Sequence, residues 1–430
     1  MVDGKTILVV DDEERVRDSV REILTDEGYR VIEAPDARDV LGLIEKNTPD
    51  LVLLDIWMPE LDGIGLLKEL KEQRPALPVI MISGHGNIQT AVTATKIGAF
   101  DFIEKPLSLD ALLTAIRRAL GEPSARAPIA AADEVNGLAG AKSARGSRSG
   151  KGGRPSLRQK TLKKSVVVAG QGLHTGRKTG IILHPLPANS GILFSGISGD
   201  TTVPAHLDYV CSTGYATSLQ GKGMVVGTVE HFLATLHAYG ISNLLVKIEG
   251  EIPILDGSAL EFCQLIEEAG IEEQASAWSE IVIDRTYRVD AEGGEWIMIE
   301  PAESFGARYI LHYPKPVGTQ EYTYVSHGPQ SFKSEIAPAR TFGFVREIEK
   351  LEKMGLVNGG RLSNCILIDD ERIINTDLRY KEELARHKIL DIIGDFYLLG
   401  RPIRGMITAH MTGHRDNIAL LREIRQGMGL

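Results

Sequence analysis

The chain has 430 residues, 48 of them Lys or Arg against 58 Asp or Glu, a net charge of −10, with 43% hydrophobic and 25% charged residues. That composition is of a soluble globular protein, and the length predicts roughly two to four domains. The acidic balance argues against bulk nucleic-acid binding, so no DNA partner is expected. No run reaches the ~18 apolar residues of a membrane span. Three scattered cysteines, Cys211, Cys263 and Cys365, form neither a disulfide framework nor a metal-type spacing. Met1-Val2-Asp3-Gly4-Lys5 leads into a strand pattern rather than a signal peptide, so a cytoplasmic location is expected.

Residues 6–120 alternate short apolar strands with amphipathic helices, the strands being Ile7–Val10, Arg30–Glu33, Leu51–Leu54, Val79–Ile82 and Phe100–Ile103. Nearly continuous apolar strands between helices predict a doubly wound α/β domain over 1–121 with five parallel strands. Asp11 and Asp12 end the first strand, Asp55 the third and Ser83 the fourth, while Lys105 follows the fifth. Ligands of such sheets bind beyond the carboxyl ends of the strands, so these residues should converge. Clustered carboxylates call for a hard cation such as Mg²⁺. With Mg²⁺ and Lys105 neutralising a phosphoryl group, Asp55 becomes a nucleophile, and Ser83 can hydrogen-bond the phosphate. One aspartate at a strand end is usually a helix cap; five such residues at matching strand ends are specific.

Val9-Val10-Asp11-Asp12-Glu13, Asp55-Ile56-Trp57-Met58-Pro59, Ser83-Gly84 and Glu104-Lys105-Pro106 together resemble a response-regulator receiver domain. The resemblance implies Mg²⁺ on Asp11, Asp12 and Asp55, phosphorylation of Asp55 by a sensor histidine kinase, and a switch relayed to the surface by Ser83, Phe102 and Lys105. A receiver kept only for docking or dimerisation is the alternative.

Over 122–159 Ala, Gly, Ser and Arg dominate. Such a segment cannot bury a core and reads as a flexible basic linker, with an end-to-end distance of roughly 30–35 Å. Transient contact with an anionic membrane surface or RNA is its functional reading, and a solvated tether its bland one.

Beyond residue 160 the pattern is mixed α+β. Strands are predicted at Ser165–Val168, Thr179–Leu183 and Leu244–Ile248, and helices at Glu230–Tyr239 and Leu260–Ala269. A second set starts near Glu280–Ile283, with helices at Ala339–Met354 and Lys381–Leu399. Strands then helices, twice over, suggest a duplicated fold of two half-domains, 160–279 and 280–430, meeting across a cleft.

His387 and Asp391 are spaced i, i+4, so one helix face carries both. Taken singly, this pair is an ordinary surface contact and His231 a core or helix-end histidine. Together, two imidazoles and a carboxylate are the ligand set of a catalytic zinc with one position left for water. Glu230 is then available as general base, and His414, in a Gly413-His414 turn, as the cationic partner of an oxyanion and leaving amine. Asp395 lies on the face of Asp391 and can orient His414, while Lys388 and the Thr341 hydroxyl are candidates for substrate and oxyanion contacts.

The first half of this region carries Gly172-Leu173-His174-Thr175-Gly176, Thr228-Val229-Glu230-His231 and Glu251-Ile252-Pro253-Ile254-Leu255-Asp256-Gly257-Ser258. The second half carries Ala339-Arg340-Thr341-Phe342-Gly343-Phe344, His387-Lys388-Ile389-Leu390-Asp391-Ile392-Ile393-Gly394-Asp395 and Gly413-His414. In this order they resemble the UDP-3-O-acyl-N-acetylglucosamine deacetylases, zinc enzymes of lipid A biosynthesis. The resemblance implies Zn²⁺ on His231, His387 and Asp391, Glu230 as base, His414 as acid, and supporting roles for Lys388, Thr341 and Asp395. It implies a UDP-linked acylated amino sugar as substrate and two α/β half-domains whose helices pack between two sheets. It also implies a hydrophobic passage for the acyl chain, with His312–Tyr322 as the corresponding insert. Receiver phosphorylation would act as a population shift through docking or dimerisation. Two alternatives stay open: a signalling protein whose deacetylase-like domain senses a ligand without catalysis, and a deacetylase for another N-acetyl sugar. No G-x-x-x-x-G-K-[ST] loop follows the linker, which argues against an ATPase-type transcriptional output.

Overall fold

Two units, each with its own apolar core, make up the chain: one lies within Met1–Ser156 and the other spans Leu157–Leu430. The computed structural model describes residues 4–58, 61–84, 88–105, 107, 109–122, 157–198 and 201–430. Most of the predicted 122–159 linker lies outside the described residues. Its last three residues do not behave as a linker: β6 (Leu157–Leu162) pairs antiparallel with Ile271–Trp278.

In the first unit, β1 (Thr6–Val10), β3 (Leu51–Asp55) and β4 (Val79–Ser83) are buried along their whole length. This is what central parallel strands covered on both faces require. With β2 (Arg30–Ala34) and β5 (Asp101–Glu104) they form one sheet in the order β2-β1-β3-β4-β5, every pair parallel. The crossovers are α1 (Glu14–Asp26), α2 (Val40–Asn47), α3 (Gly63–Gln73) and α4 (Ile88–Ile97), and α5 (Leu109–Ala119) follows the last strand.

The second unit contains two five-stranded sheets. The first joins β7 (Val166–Gln171), β8 (Lys178–Pro185), β9 (Ile192–Ser195), β10 (Thr202–Pro204) and, after a three-stranded meander of β11 (Val210–Ser212), β12 (Ser218–Gly221) and β13 (Met224–Val226) and helix α6 (Glu230–Tyr239), β14 (Leu244–Ile248). Its order is β7-β8-β14-β9-β10, with β14 parallel to β9 and the other pairs antiparallel. Helix α7 (Leu260–Ala269) and β15 (Ile271–Trp278) follow. The second sheet joins β16 (Tyr287–Asp290), β17 (Trp296–Glu300), β18 (Gly306–His312) and β19 (Thr319–Val325). After α8 (Pro329–Glu335), a parallel pair β20 (Phe342–Phe344) and β21 (Ile366–Ile368) joined by α9 (Val345–Lys353), and α10 (Glu383–Phe396), it is completed by β22 (Met406–His410). Its order, β16-β17-β22-β18-β19, repeats that of the first sheet, again with one parallel pair, β22 on β18. In each sheet a long-range fifth strand enters third, directly or closely preceded by a helix, α6 or α10. Helix α11 (His414–Met428) closes the unit, and one apolar core runs through both sheets and the helices. Among the described residues no helix is long and apolar enough to cross a membrane.

Three local expectations need correcting. The helix predicted over Ala339–Met354 begins only at Val345, because Phe342–Phe344 pairs with Ile366–Ile368, a partner too distant for local periodicity to reveal. His414 is not in a turn: Gly413 caps α11 and His414 is its first residue, with the Asp416 carboxylate accepting from the Gly413 N–H at 3.0 Å. His312–Tyr322 is the hairpin between two strands of the second sheet, and it gives the cleft described below only Tyr313.

Candidate functional site

In the first unit, parallel register gathers the carboxylates. Val10 pairs with Leu54 and Asp55 with Ile82, so Asp11 and Asp55 emerge at the same sheet end. One oxygen from each of Asp11, Asp12 and Asp55 lies within 4.8 Å of the others. Lys105 is fixed by its backbone N–H, which donates to the Ser83 carbonyl at 2.8 Å. Its Nζ stands 2.9 Å from Asp11 Oδ2 and 3.0 Å from Asp55 Oδ2. Asp11 and Asp55 are buried, whereas Asp12 is exposed. Burial pushes the Asp55 carboxyl up; Lys105 opposes this and Asp11 adds to it. Burial alone would lower the Lys105 ammonium, but the two carboxylates outweigh it and hold its pKa above the ordinary lysine value. Ser83 is fully buried at the end of β4. Phe102, opposite Met81, is buried too. Pro59 and Pro106 lie outside the described residues. The donor set, all oxygen with one exposed member, fits Mg²⁺, which keeps several waters.

In the second unit the site forms where α6 meets α10. Gly394 allows the contact, since a Cβ there would overlap the Glu230 carbonyl oxygen. Two residues before α6, Thr228 has φ +56°, a left-handed conformation that costs a β-branched residue on the order of 1–3 kcal/mol. His231 comes from the first turn of α6, and His387 and Asp391 from successive turns of α10. His231 Nε2 and His387 Nε2 are each 3.6 Å from Asp391 Oδ1, and the two rings meet edge-on with centroids 4.9 Å apart. All three side chains are buried. His387 Nδ1 donates to the Ala339 carbonyl at 3.1 Å, which leaves Nε2 as the lone-pair nitrogen facing the other two ligands. Burial pushes the His387 imidazole down to about 3, so the ring is neutral at pH 7, as a ligand must be. Burial would raise Asp391, but the Lys388 ammonium, donating to its Oδ2 at 2.7 Å, and then His387 hold its carboxyl well below the usual range. Two nitrogens and one oxygen, buried and converging with the His387 proton committed elsewhere, fit zinc.

Glu230 and His414 flank these residues. The Glu230 carboxylate accepts from the Thr217 backbone N–H at 3.1 Å, and its other oxygen is 3.9 Å from His414 Nε2. Burial pushes Glu230 up, opposed by His414 and His231. Burial would push His414 down, but Asp395 and then Glu230 outweigh it and raise the imidazole to about 9, so the ring is protonated at pH 7. Asp395 is fully buried: Oδ2 accepts from His414 Nδ1 and Asn417 Nδ2, both at 2.8 Å, and Oδ1 accepts from the Thr217 hydroxyl at 2.6 Å. Thr341 lines the same cleft, pinned through its N–H to the Gly257 carbonyl at 2.8 Å. Its neighbour Arg340 is clamped by the buried Glu383 carboxylate, Nε to Oε1 at 2.9 Å. The cleft is about 520 Å³, and Tyr313, Phe342 and Phe344 give it an aromatic wall.

The structure thus brings together Glu230, His231, Thr341, His387, Lys388, Asp391 and His414 around one opening, with Asp395 behind His414. Sequence reasoning missed Thr217, which links Glu230 to Asp395, and the Ala339 carbonyl; neither carries a local signal. Asn417, one helical turn after His414, was within reach of a spacing argument.

A site with two converging imidazoles, the His387 ring neutral, a carboxylate held ionised and an imidazolium beside a raised carboxyl belongs to the class of metal-dependent hydrolases. Residues 159–426 match the family model of the UDP-3-O-acyl N-acetylglycosamine deacetylases, and residues 7–117 match that of the response regulator receiver domain. The first match spans more than half of the chain, which therefore belongs to the UDP-3-O-acyl N-acetylglycosamine deacetylase family and carries a receiver domain ahead of the enzyme. The chain is 43% identical over 275 residues to UDP-3-O-acyl-N-acetylglucosamine deacetylase of Acidithiobacillus ferrooxidans, covering 62% of this chain and 90% of that one. It is 42% identical over 273 residues to the Myxococcus xanthus protein of the same name, covering 63% and 87%. Among solved structures, the receiver domain of NtrX from Brucella abortus is 55% identical, covering 27% of this chain and 98% of that one, with a TM-score of 0.26.

Proposed function

We propose that the chain hydrolyses the N-acetyl group of UDP-3-O-acyl-N-acetylglucosamine, with zinc held by His231, His387 and Asp391, and that phosphorylation of Asp55 regulates it. The observation that carries this reading is the pairing of Glu230 with a protonated His414 beside the three ligand atoms. When bound, zinc supplies Lewis acidity toward water and the acetyl carbonyl. Glu230 accepts the proton of the attacking water, and its raised pKa brings it nearer the operating pH. His414, charged and held by Asp395, faces the oxyanion and then gives its Nε2 proton to the departing amine, so that acetate and the free amino sugar leave. The Thr341 hydroxyl, in the lining of the same cleft, also serves the oxyanion, and Lys388 holds Asp391 ionised. The aromatic wall of Tyr313, Phe342 and Phe344 suits an acyl chain.

The common strand order of the two sheets supports reading the enzyme unit as a duplicated pair of half-domains, 160–279 and 280–430, meeting at this cleft. For the receiver we infer Mg²⁺ at Asp11, Asp12 and Asp55, a sensor histidine kinase as phosphodonor, a switch through Ser83, Phe102 and Lys105, and a cytoplasmic setting. The test is zinc-dependent acetate release from UDP-3-O-acyl-N-acetylglucosamine, with and without a small-molecule phosphodonor, in the wild type, Asp55→Ala and Glu230→Ala. Loss in Glu230→Ala, and a phosphodonor response that needs Asp55, are expected. A zinc-loaded, folded chain that releases no acetate would instead favour a ligand sensor or another N-acetyl sugar.

A further inference from the structure

Glu251 is buried beside Thr228, the residue that leads into α6, and both of its carboxylate oxygens are engaged. Oε1 accepts from the His174 backbone N–H at 2.9 Å and from the Thr228 hydroxyl at 2.8 Å, while Oε2 accepts from the Thr175 N–H at 2.9 Å. The residue is buried, and its backbone is tied on both sides. Gly227 bridges it in parallel fashion, and the Thr179 hydroxyl donates to its carbonyl at 2.8 Å. A Cβ at Gly172 would overlap Glu251 Oε2, so the 172–176 loop sits directly on the carboxylate. One side chain therefore joins two walls of the cleft: the loop that presents Leu173, and Thr228 just ahead of Glu230 and His231.

Thr228 is the strained member of this group. A β-branched residue keeps a φ of +56° only where its surroundings over-determine it, and here the surroundings include the Glu251 carboxyl oxygen that accepts from its hydroxyl. Thr228 leads through Val229 into the first turn of α6, where Glu230 and His231 lie.

We propose that Glu251 is a positioning residue of the deacetylase site, holding Thr228 in its left-handed conformation and thereby aiming Glu230 and His231 at the metal position. The proposal rests on the zinc reading above. Its test compares the wild-type chain with Glu251→Gln, Thr228→Val, and the double variant Glu251→Gln/Thr228→Gly, scoring zinc retention against a chelator together with kcat and KM for acetate release. Glutamine turns an amide N–H₂ toward donors that need an acceptor. Valine keeps the shape of Thr228 and deletes the hydroxyl. Glycine takes positive φ without the Cβ penalty.

Glu251→Gln and Thr228→Val should each weaken zinc retention and lower kcat about 10- to 100-fold, as loss of a ligand-supporting contact does, with KM changed by less than about threefold. Adding Thr228→Gly to Glu251→Gln should restore kcat and zinc retention by about fivefold or more, because glycine no longer needs the anchor. A merely structural Glu251 gives no such recovery. Wild-type zinc retention and kcat in Thr228→Val, or a double variant no better than Glu251→Gln, would overturn the proposal. If Glu251→Gln does not fold, Thr228→Val decides alone. A wild-type chain that holds zinc and yields no acetate removes the substrate reading, while zinc retention across the variants still decides the role of Glu251.

Discussion

His414 and Asp395 meet at 2.8 Å from different helices, the imidazole at the start of α11 and the carboxylate near the end of α10. The ion pair sets the charge of the His414 ring. Because His414 is raised to about 9 from an ordinary 6.5, its contribution to stability is fully present below about pH 6.5 and is lost as pH rises through about 9. Acetate release should fall over the same alkaline range as the ring loses its proton. Asp395→Asn should move that alkaline limb to lower pH and reduce kcat by about tenfold or more; a full kcat–pH profile reads both. A profile unchanged in Asp395→Asn would show that Asp395 does not control the proton.

Glu230→Gln removes the proposed base and keeps the shape of its side chain. Acetate release should drop about 10²- to 10⁴-fold while zinc content stays at the wild-type level, because Glu230 is not among the ligands. Metal analysis beside single-turnover kinetics separates the two effects, and zinc lost together with activity would make Glu230 a ligand instead.

Stripping the metal should act on one unit only. Zinc on His231, His387 and Asp391 would link α6 to α10, so a site saturated about a thousandfold above its Kd would add roughly 4 kcal/mol to the second unit. Scanning calorimetry should therefore show its transition falling by roughly 10 °C in a zinc-selective chelator with Mg²⁺ held constant, with the receiver transition unmoved. Both transitions moving together would mean that the metal sits elsewhere.

Gly394→Ala tests the contact of the two helices. The added methyl meets backbone, the Glu230 carbonyl, which no rotamer change relieves. Destabilisation of about 1–3 kcal/mol or more is expected, with zinc affinity falling alongside. Urea unfolding with zinc titration measures both, and a variant of wild-type stability would contradict the close approach.

Lys105→Ala tests the receiver. Removing the ammonium leaves Asp11 and Asp55 facing each other in a buried site, so Asp55 should accept phosphate from a small-molecule donor far more slowly and depend more steeply on Mg²⁺. Intact-protein mass spectrometry over time measures the rate; wild-type labelling would remove Lys105 from the chemistry.

Much of this was legible in the sequence, for identifiable reasons. The α6 and α7 boundaries coincide with prediction because Gly240 and Gly270 follow their last residues, a punctuation that is local. His387, Asp391 and Asp395 share a face by spacing alone. What stayed hidden depends on partners far along the chain. Phe342–Phe344 looks helical until Ile366–Ile368 is placed beside it, and nothing local to Arg340 shows that Glu383 clamps it. Nothing near Thr217 announces that it will hold both Glu230 and Asp395. Strand order was invisible too, since each fifth strand inserts into a sheet whose edges were built much earlier in the chain.

The contact of α6 with α10 also orders events in time. A ribosome that has finished His231 has not yet made His387 or Asp391, and all four earlier strands of the second sheet must emerge first. Nascent and partly folded chains therefore carry no half-competent hydrolytic centre, and the reaction is switched on only by tertiary assembly.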